Sequence, residues 1–305
     1  MIIKVSSDLR KEEIWANGHE LASIMGKDRS KGKRVYEYPP EKKAHVYTFK
    51  NPVLMTDNYR IGKLAPTLRD TLFSLFNEKP RIVAYDRVSV FWDSKHSKVW
   101  CPSIDTMVYA KALRKLFKQR RKFGRVVEIG CGSGFLSKYV LAKAEIKSIL
   151  VNDINNLAIE CAKGNIQDSR ASFSVGDGLK KIANQKFDLI ICNPPYVPRP
   201  RSIRDNAYEG TGLLDYLIHE GQKYLTDNGV LVINVSSLCY NEIFKRKPQM
   251  DMEVLETMEV PLKVNNILNS KSWVSYLRSQ GLKKNYHQGY EYWQKLNIIQ
   301  LTKKE

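Results

Sequence analysis

The chain has 305 residues, 43% of them apolar, and a formal net charge of +18. That is enough apolar material to bury a core in one large or two modest domains, and no apolar stretch is long enough to span a bilayer. Fifty Lys and Arg against 32 Asp and Glu favour encounters with polyanions without specifying a site.

The charged opening, Met1 to Asp8, lacks the sustained apolar run of a secretory signal. Cys101, Cys131, Cys161, Cys192 and Cys239 are scattered, with no Cys-x-x-Cys spacing and no paired histidines nearby. They are expected to be reduced thiols, which implies a cytoplasmic protein with no metal site. Residues 1–85 are expected to form an N-terminal extension or small domain, and 86–305 a second domain. The first part contains a basic loop at Lys27–Arg34, and Pro66 to Lys79 shows an apolar stripe at helical spacing. Arg87–Trp92 and Lys98–Trp100, joined by the polar Asp93–Ser97, read as a hairpin.

Ile104 to Lys122 reads as a helix. Apolar β-type runs then alternate with helical stretches: Val126–Ile129, Ile149–Val151, Ser172–Val175, Asp188–Ile191 and Val230–Ile233. Short apolar strands separated by helices predict a parallel sheet covered on both faces, which binds its ligands at the carboxyl ends of the strands. Toward the end of the chain, Trp273 to Gln280 reads as a helix and Asn297 to Leu301 as a final strand, placed as the antiparallel edge.

The motifs fall at those strand ends. The first run leads into Glu128-Ile129-Gly130-Cys131-Gly132-Ser133-Gly134, a loop whose glycines let backbone approach a ligand. Its spacing departs from the dinucleotide fingerprint, whose last small residue is here Phe135. Asp153 ends the second run and can accept two ribose hydroxyls or cap the following helix. Asp177-Gly178 ends the third and can meet an adenine ring or simply turn the chain. The fourth run enters Asn193-Pro194-Pro195-Tyr196. The Asn193 side-chain oxygen and the Pro194 carbonyl can accept the two N–H bonds of a planar NH2 group. Such contacts favour the more positive nitrogen of a transition state. The prolines fix φ, and Tyr196 offers an aromatic face for a flat group.

This combination resembles the class I S-adenosylmethionine-dependent methyltransferases with an Asn-Pro-Pro-Tyr signature. It is most similar to the HemK-type enzymes, which methylate the glutamine side chain of peptide-chain release factors. Pro102-Ser103-Ile104-Asp105-Thr106 matches that family's Pro-x-x-Asp/Glu-Thr element, although Ser103 as a helix N-cap is the plain alternative. The resemblance covers about residues 86–237. It implies an α/β, Rossmann-like, mostly parallel seven-stranded sheet with helices on both faces, and S-adenosyl-L-methionine as cofactor. The expected cofactor residues are Glu128, Gly130, Cys131, Gly132, Ser133, Gly134, Asp153, Asp177, Gly178 and Asn193. Asn193, Pro194, Pro195 and Tyr196 are the expected catalytic residues, and Pro102, Asp105, Thr106, Tyr196 and Arg199 the expected substrate contacts. There are departures from the family. Glu209-Gly210-Thr211-Gly212-Leu213 lacks the Asp of the family's Gly-Gly-x-Asp-Gly-Leu stretch, its helical N-terminal domain is not evident in 1–85, and the C-terminal part is longer.

Three basic clusters bear on the substrate: Lys111 to Lys122, the arginines Arg199, Arg201 and Arg204, and Lys245–Lys247. Two enzyme readings follow. One is methylation of a glutamine amide in a translation (release) factor. The other is methylation of an exocyclic base amine such as that of adenine, with RNA favoured over DNA. A non-catalytic RNA- or ribosome-binding protein is a third reading, opposed by the intact motifs.

Overall fold

The computed structural model describes residues 45–49, 81–92, 99–200, 210–262, 265–268, 270–287 and 290–304. The Lys27–Arg34 loop, the Pro66–Lys79 helix, Asp93–Ser97, Arg201 and Arg204 lie outside the described residues.

A small sheet comes first. β1 (His45–Phe49) pairs in parallel with β2 (Arg81–Tyr85), and β2 pairs antiparallel with β3 (Val88–Trp92). The β2–β3 turn is Asp86-Arg87, with φ of 48° and 66°. Two left-handed residues in a two-residue turn match the twist of a hairpin. The expected hairpin is therefore corrected: the partner of β3 is β2, and Val99 and Trp100 are not in a strand. No glycine marks the true turn. Instead Asp86 is held from outside, accepting from the Tyr139 hydroxyl at 2.8 Å and pairing with Lys143 at 3.3 Å. The expected division between residues 85 and 86 falls at this turn, and Val83, Tyr85, Val88 and Val90 are all in the largest core cluster.

The main sheet comprises β4 (Lys122–Ile129), β5 (Glu145–Asp153), β6 (Ala171–Val175), β7 (Phe187–Cys192), β8 (Leu225–Ser236), β9 (Met250–Pro261), β10 (Lys283–His287) and β11 (Tyr290–Lys303). From β6 the order runs β6-β5-β4-β7-β8-β11, parallel as far as β8 and then antiparallel. β9 lies on the far side of β11. Trp293 pairs with both Pro261 of β9 and Lys283 of β10, so β10 continues the β8 side of β11.

Among the described residues the expected seven strands are thus eight, and β11 is interior rather than the edge. β9 and β10 escaped the sequence reading. β9 carries Asp251, Glu253, Glu256 and Glu259, and much of its surface is exposed, so no apolar run marks it. Its acids also explain part of the first basic cluster: Lys111 and Lys115 both pair with Glu256, at 3.2 and 3.0 Å.

Helices α1 (Ile104–Gln119), α2 (Phe135–Lys143), α3 (Asn156–Asn165), α4 (Gly178–Lys181), α5 (Gly212–Glu220), α6 (Tyr240–Ile243), α7 (Asn265–Leu268) and α8 (Lys271–Ser279) complete the fold. Alternate strand residues feed opposite cores. Val126, Leu189, Ile191, Val230 and Val232 pack with α1 and α2, whereas Val127, Ile190, Leu231 and Ile233 pack with α5. Burial on both faces makes these strands read as continuous apolar runs. Among the described residues no helix is long and apolar enough to cross a membrane.

Candidate functional site

The glycine loop leaves β4 and enters α2. Gly134 is the N-cap of α2 at φ 80°, and a Cβ there would lie 2.9 Å from the Ala162 Cβ. The loop is laced to the end of β5. The Gly130 and Cys131 amides both donate to the Asn152 carbonyl at 2.9 Å, and the Gly132 amide donates to Asp153 Oδ2 at 2.9 Å. Asp153 Oδ1 accepts from the Asn155 amide at 2.9 Å, and burial pushes its carboxyl pKa up. The cap of α3 is Asn155, which accepts from the Leu157 amide at 3.0 Å, so Asp153 is not the helix cap.

The other residues expected at the cofactor take mixed positions. Glu128 is buried under the loop and accepts both the amide and the hydroxyl of Ser137. Burial pushes its pKa up to about 8 against the opposing Ser137 hydrogen bonds. Cys131 and Ser133 are buried, and the Ser133 carbonyl accepts from Asn165 Nδ2 at 3.0 Å. Asp177 caps α4, accepting from the Leu179 amide at 3.0 Å. Gly178 lies against the end of β5: a Cβ there would come within 2.6 Å of Asn152 Oδ1.

The tetrapeptide leaves β7 beside α1. Asn193 Nδ2 donates to Asp105 Oδ2 at 3.0 Å, and Asp105 Oδ1 accepts from the Ser103 hydroxyl. Asn193 Oδ1 is buried and meets no hydrogen-bond donor among the described residues. Asp105 is a carboxylate acceptor, so it selects the amide orientation that leaves the oxygen pointing away from it. Thr106 Oγ1 accepts from the Ser103 amide at 3.3 Å within a capping box. The Pro102–Thr106 element therefore both starts α1 and reaches the tetrapeptide.

Pro194 is buried, and Tyr196 is partly buried against both main cores, which raises its phenol pKa. Beyond it, the Pro198 carbonyl accepts from the Trp273 indole at 2.9 Å, and the Arg199 guanidinium lies 5.2 Å from the Trp273 ring. The extended C-terminal part thus holds the exit of the tetrapeptide through α8.

Sequence reasoning missed Asn152, whose side chain ties β5 to the Ser174 and Gly176 carbonyls at 3.0 and 3.2 Å. It also missed Asn165, which joins β3 to the glycine loop, and Trp100. Trp100 is 58% exposed and abuts the loop: a Cβ on Gly132 would lie 3.4 Å from its carbonyl. Asn152 follows the apolar run Ile149–Val151, a weak signal, and nothing in the sequence around Asn165 marks it. Ile154 and Val175, beside Asp153 at the ends of β5 and β6, are also exposed.

Residues 104–260 match the family model described as the methyltransferase small domain. The chain belongs to this methyltransferase family. It is 31% identical over 189 residues to a candidate protein N5-glutamine methyltransferase of Methanocaldococcus jannaschii, covering 57% of this chain and 92% of that one. It is 25% identical over 154 residues to the release factor glutamine methyltransferase of Aquifex aeolicus, covering 45% and 54%. A ribosomal RNA small subunit methyltransferase C of Haemophilus ducreyi is 29% identical over 123 residues, covering 40% and 35%. The chain thus spans nearly all of the first relative, about half of the second and about a third of the third.

Proposed function

We propose that this methyltransferase uses S-adenosyl-L-methionine to methylate the side-chain amide nitrogen of a glutamine in a protein substrate, a release factor or similar translation protein. The observation that carries the reading is the buried Asn193 Oδ1, which has no donor among the described residues and is held in that orientation by Asp105. A buried acceptor left unmet is costly, and a substrate N–H would remove the cost.

The glycine loop and Asp153 suit the cofactor. Among the described residues nothing lies within 4 Å of a Cβ placed on Gly130, and the Asp153 carboxylate retains acceptor capacity beyond its backbone partners for ribose hydroxyls. Exposed Ile154 and Val175 offer an apolar setting for a purine. Asp177 and Gly178 border the same strand ends, whereas Glu128, Cys131 and Ser133 support the loop from beneath. The cofactor, when bound, supplies an electrophilic methyl group.

On the acceptor side, Asn193 Oδ1 takes one N–H of the substrate amide and the Pro194 carbonyl takes the other. Both hydrogen bonds strengthen as nitrogen gains positive charge, so they favour the transition state over the ground state. Tyr196 stays neutral, because burial raises its phenol pKa, and serves as a face rather than a base. Pro102, Thr106 and Arg199 border the substrate from the two sides of the tetrapeptide.

A protein substrate is favoured over nucleic acid because several of the cations considered for phosphate already have a carboxylate or aromatic partner within the chain. Lys111 and Lys115 pair with Glu256, Arg121 and Lys122 with Glu145, and Arg246 with Glu220, while Arg199 stacks on Trp273. The test is tritiated-methyl transfer from S-adenosylmethionine into cell extract, followed by separate protease and nuclease digestion. Label released by protease alone is expected. Label released by nuclease alone would replace glutamine with a base amine.

A further inference from the structure

Helix α1 meets the end of β7 at two successive turns. Asp105 grips the Asn193 side chain, and Tyr109, one turn later, reaches the backbone just before it. The Tyr109 side chain is fully buried. Its phenol oxygen accepts from the Cys192 amide at 3.1 Å and donates to the Val232 carbonyl at 2.5 Å. Cys192 is the last residue of β7 and pairs with Ile233 of β8, so the phenol bridges the two strands where the tetrapeptide begins.

We propose that Tyr109 is a positioning residue for methyl transfer: its hydroxyl ties the end of β7 to β8 and so sets where Asn193 leaves the sheet. The inference rests on the reading of Asn193 as the acceptor of the substrate amide. Met107, Val108, Ala110, Ala112 and Leu113, the apolar neighbours of Tyr109 along α1, are all buried, and a phenyl ring would fill the same volume. What Tyr adds is one oxygen that meets a donor and an acceptor on two strands. Burial raises its pKa, so the phenol keeps the proton that it donates to Val232. Asp105 sets the rotation of the Asn193 amide, and Tyr109 sets the position of the backbone that carries it. A small displacement of an aligned group is enough to slow a reaction about 100-fold.

The experiment compares the full chain with its Tyr109→Phe variant. Tritiated-methyl transfer into extract, measured at saturating S-adenosylmethionine, should slow about 10- to 100-fold. Calorimetric affinity for S-adenosylmethionine should be unchanged. Amide hydrogen exchange at Cys192 should speed up about tenfold, the worth of one net hydrogen bond, while β4 and β5 exchange as before. Wild-type transfer rates with unchanged Cys192 exchange would overturn the proposal. Faster exchange across all strands of the sheet would also overturn it, by showing a general structural role. If the wild-type protein labels nothing, the proposed function fails, and the exchange arm still decides whether Tyr109 clamps β7. If the variant does not fold, the wild-type Cys192 amide decides: exchange as slow as in central β4 supports the clamp, and exchange as fast as at exposed amides overturns it.

Discussion

The carboxyl ends of β5 and β7 lie on either side of β4, yet their polar groups are used differently. At β5 the groups satisfy one another: Asp153 takes the Gly132 and Asn155 amides, and Asn152 takes the Gly130 and Cys131 amides. At β7 the Asn193 amide is half satisfied among the described residues, with its nitrogen held by Asp105 and its oxygen left unmet. The first end is a self-supporting cradle. The second is aimed, and what it lacks is a donor. A binding loop gains from rigidity before its ligand arrives, whereas a group that acts on a transition state must keep capacity for it.

The sharpest way to break this contrast is Asn193→Ala. Methyl transfer should fall about 10²- to 10³-fold, in the range of a lost preorganised acceptor, while calorimetry still detects S-adenosylmethionine binding, though weaker. Near-normal turnover would remove Asn193 from the chemistry. Asp105→Ala should cost about 10- to 100-fold by freeing the amide to rotate. Asp105→Asn should recover part of that loss, because its own oxygen can still accept from Asn193 Nδ2. Equal loss in the two variants would show that Asp105 acts through its charge.

Beneath the cradle, Glu128 gives a pH signature. The fold holds it neutral up to about pH 8, whereas in the unfolded chain it ionises near the ordinary glutamate range. The stability it contributes is therefore present at low pH and lost as pH rises toward its folded value. The loss should be up to roughly 1.4 kcal/mol per pH unit. Urea midpoints measured between about pH 5 and 8 should fall in the wild type and fall less in Glu128→Gln. Burial pushes the Asp153 carboxyl up as well, so any slope it adds has the same sign. Identical slopes in the two proteins would place the titration elsewhere.

Gly134→Ala should lower stability by about 1–2 kcal/mol, because φ is left-handed there and the added Cβ meets Ala162 and Ile166. The check is a denaturant titration. The smallest expected effect is at the exit of the tetrapeptide. Arg199→Ala should cost about 0.5–1 kcal/mol of stability through the lost contact with Trp273. A loss of transfer in that variant that varied steeply with salt would instead point to a polyanionic substrate.

The central strands were legible because residues buried on both faces leave apolar runs. β9 was not, since its acids and its exposed Met252 and Val254 hide the alternation. The hairpin was given the wrong partner because its turn, Asp86-Arg87, has no glycine and is held by Tyr139 and Lys143. The basic cluster from Lys111 to Lys122 gives no hint in the sequence that Lys111 and Lys115 face Glu256, more than 140 residues away.

By itself the sequence determined the chemistry available at each strand end: glycines that turn left-handed, an acid after β5, and an amide stiffened by two prolines after β7. Only the tertiary structure decided which atoms remain free to act. Asp105 lies 88 residues from Asn193, and Tyr109 lies 83 from Cys192. Side-chain hydrogen bonds across such separations leave no periodicity or spacing in the chain, so the orientation they impose emerges only once α1 is packed on the sheet.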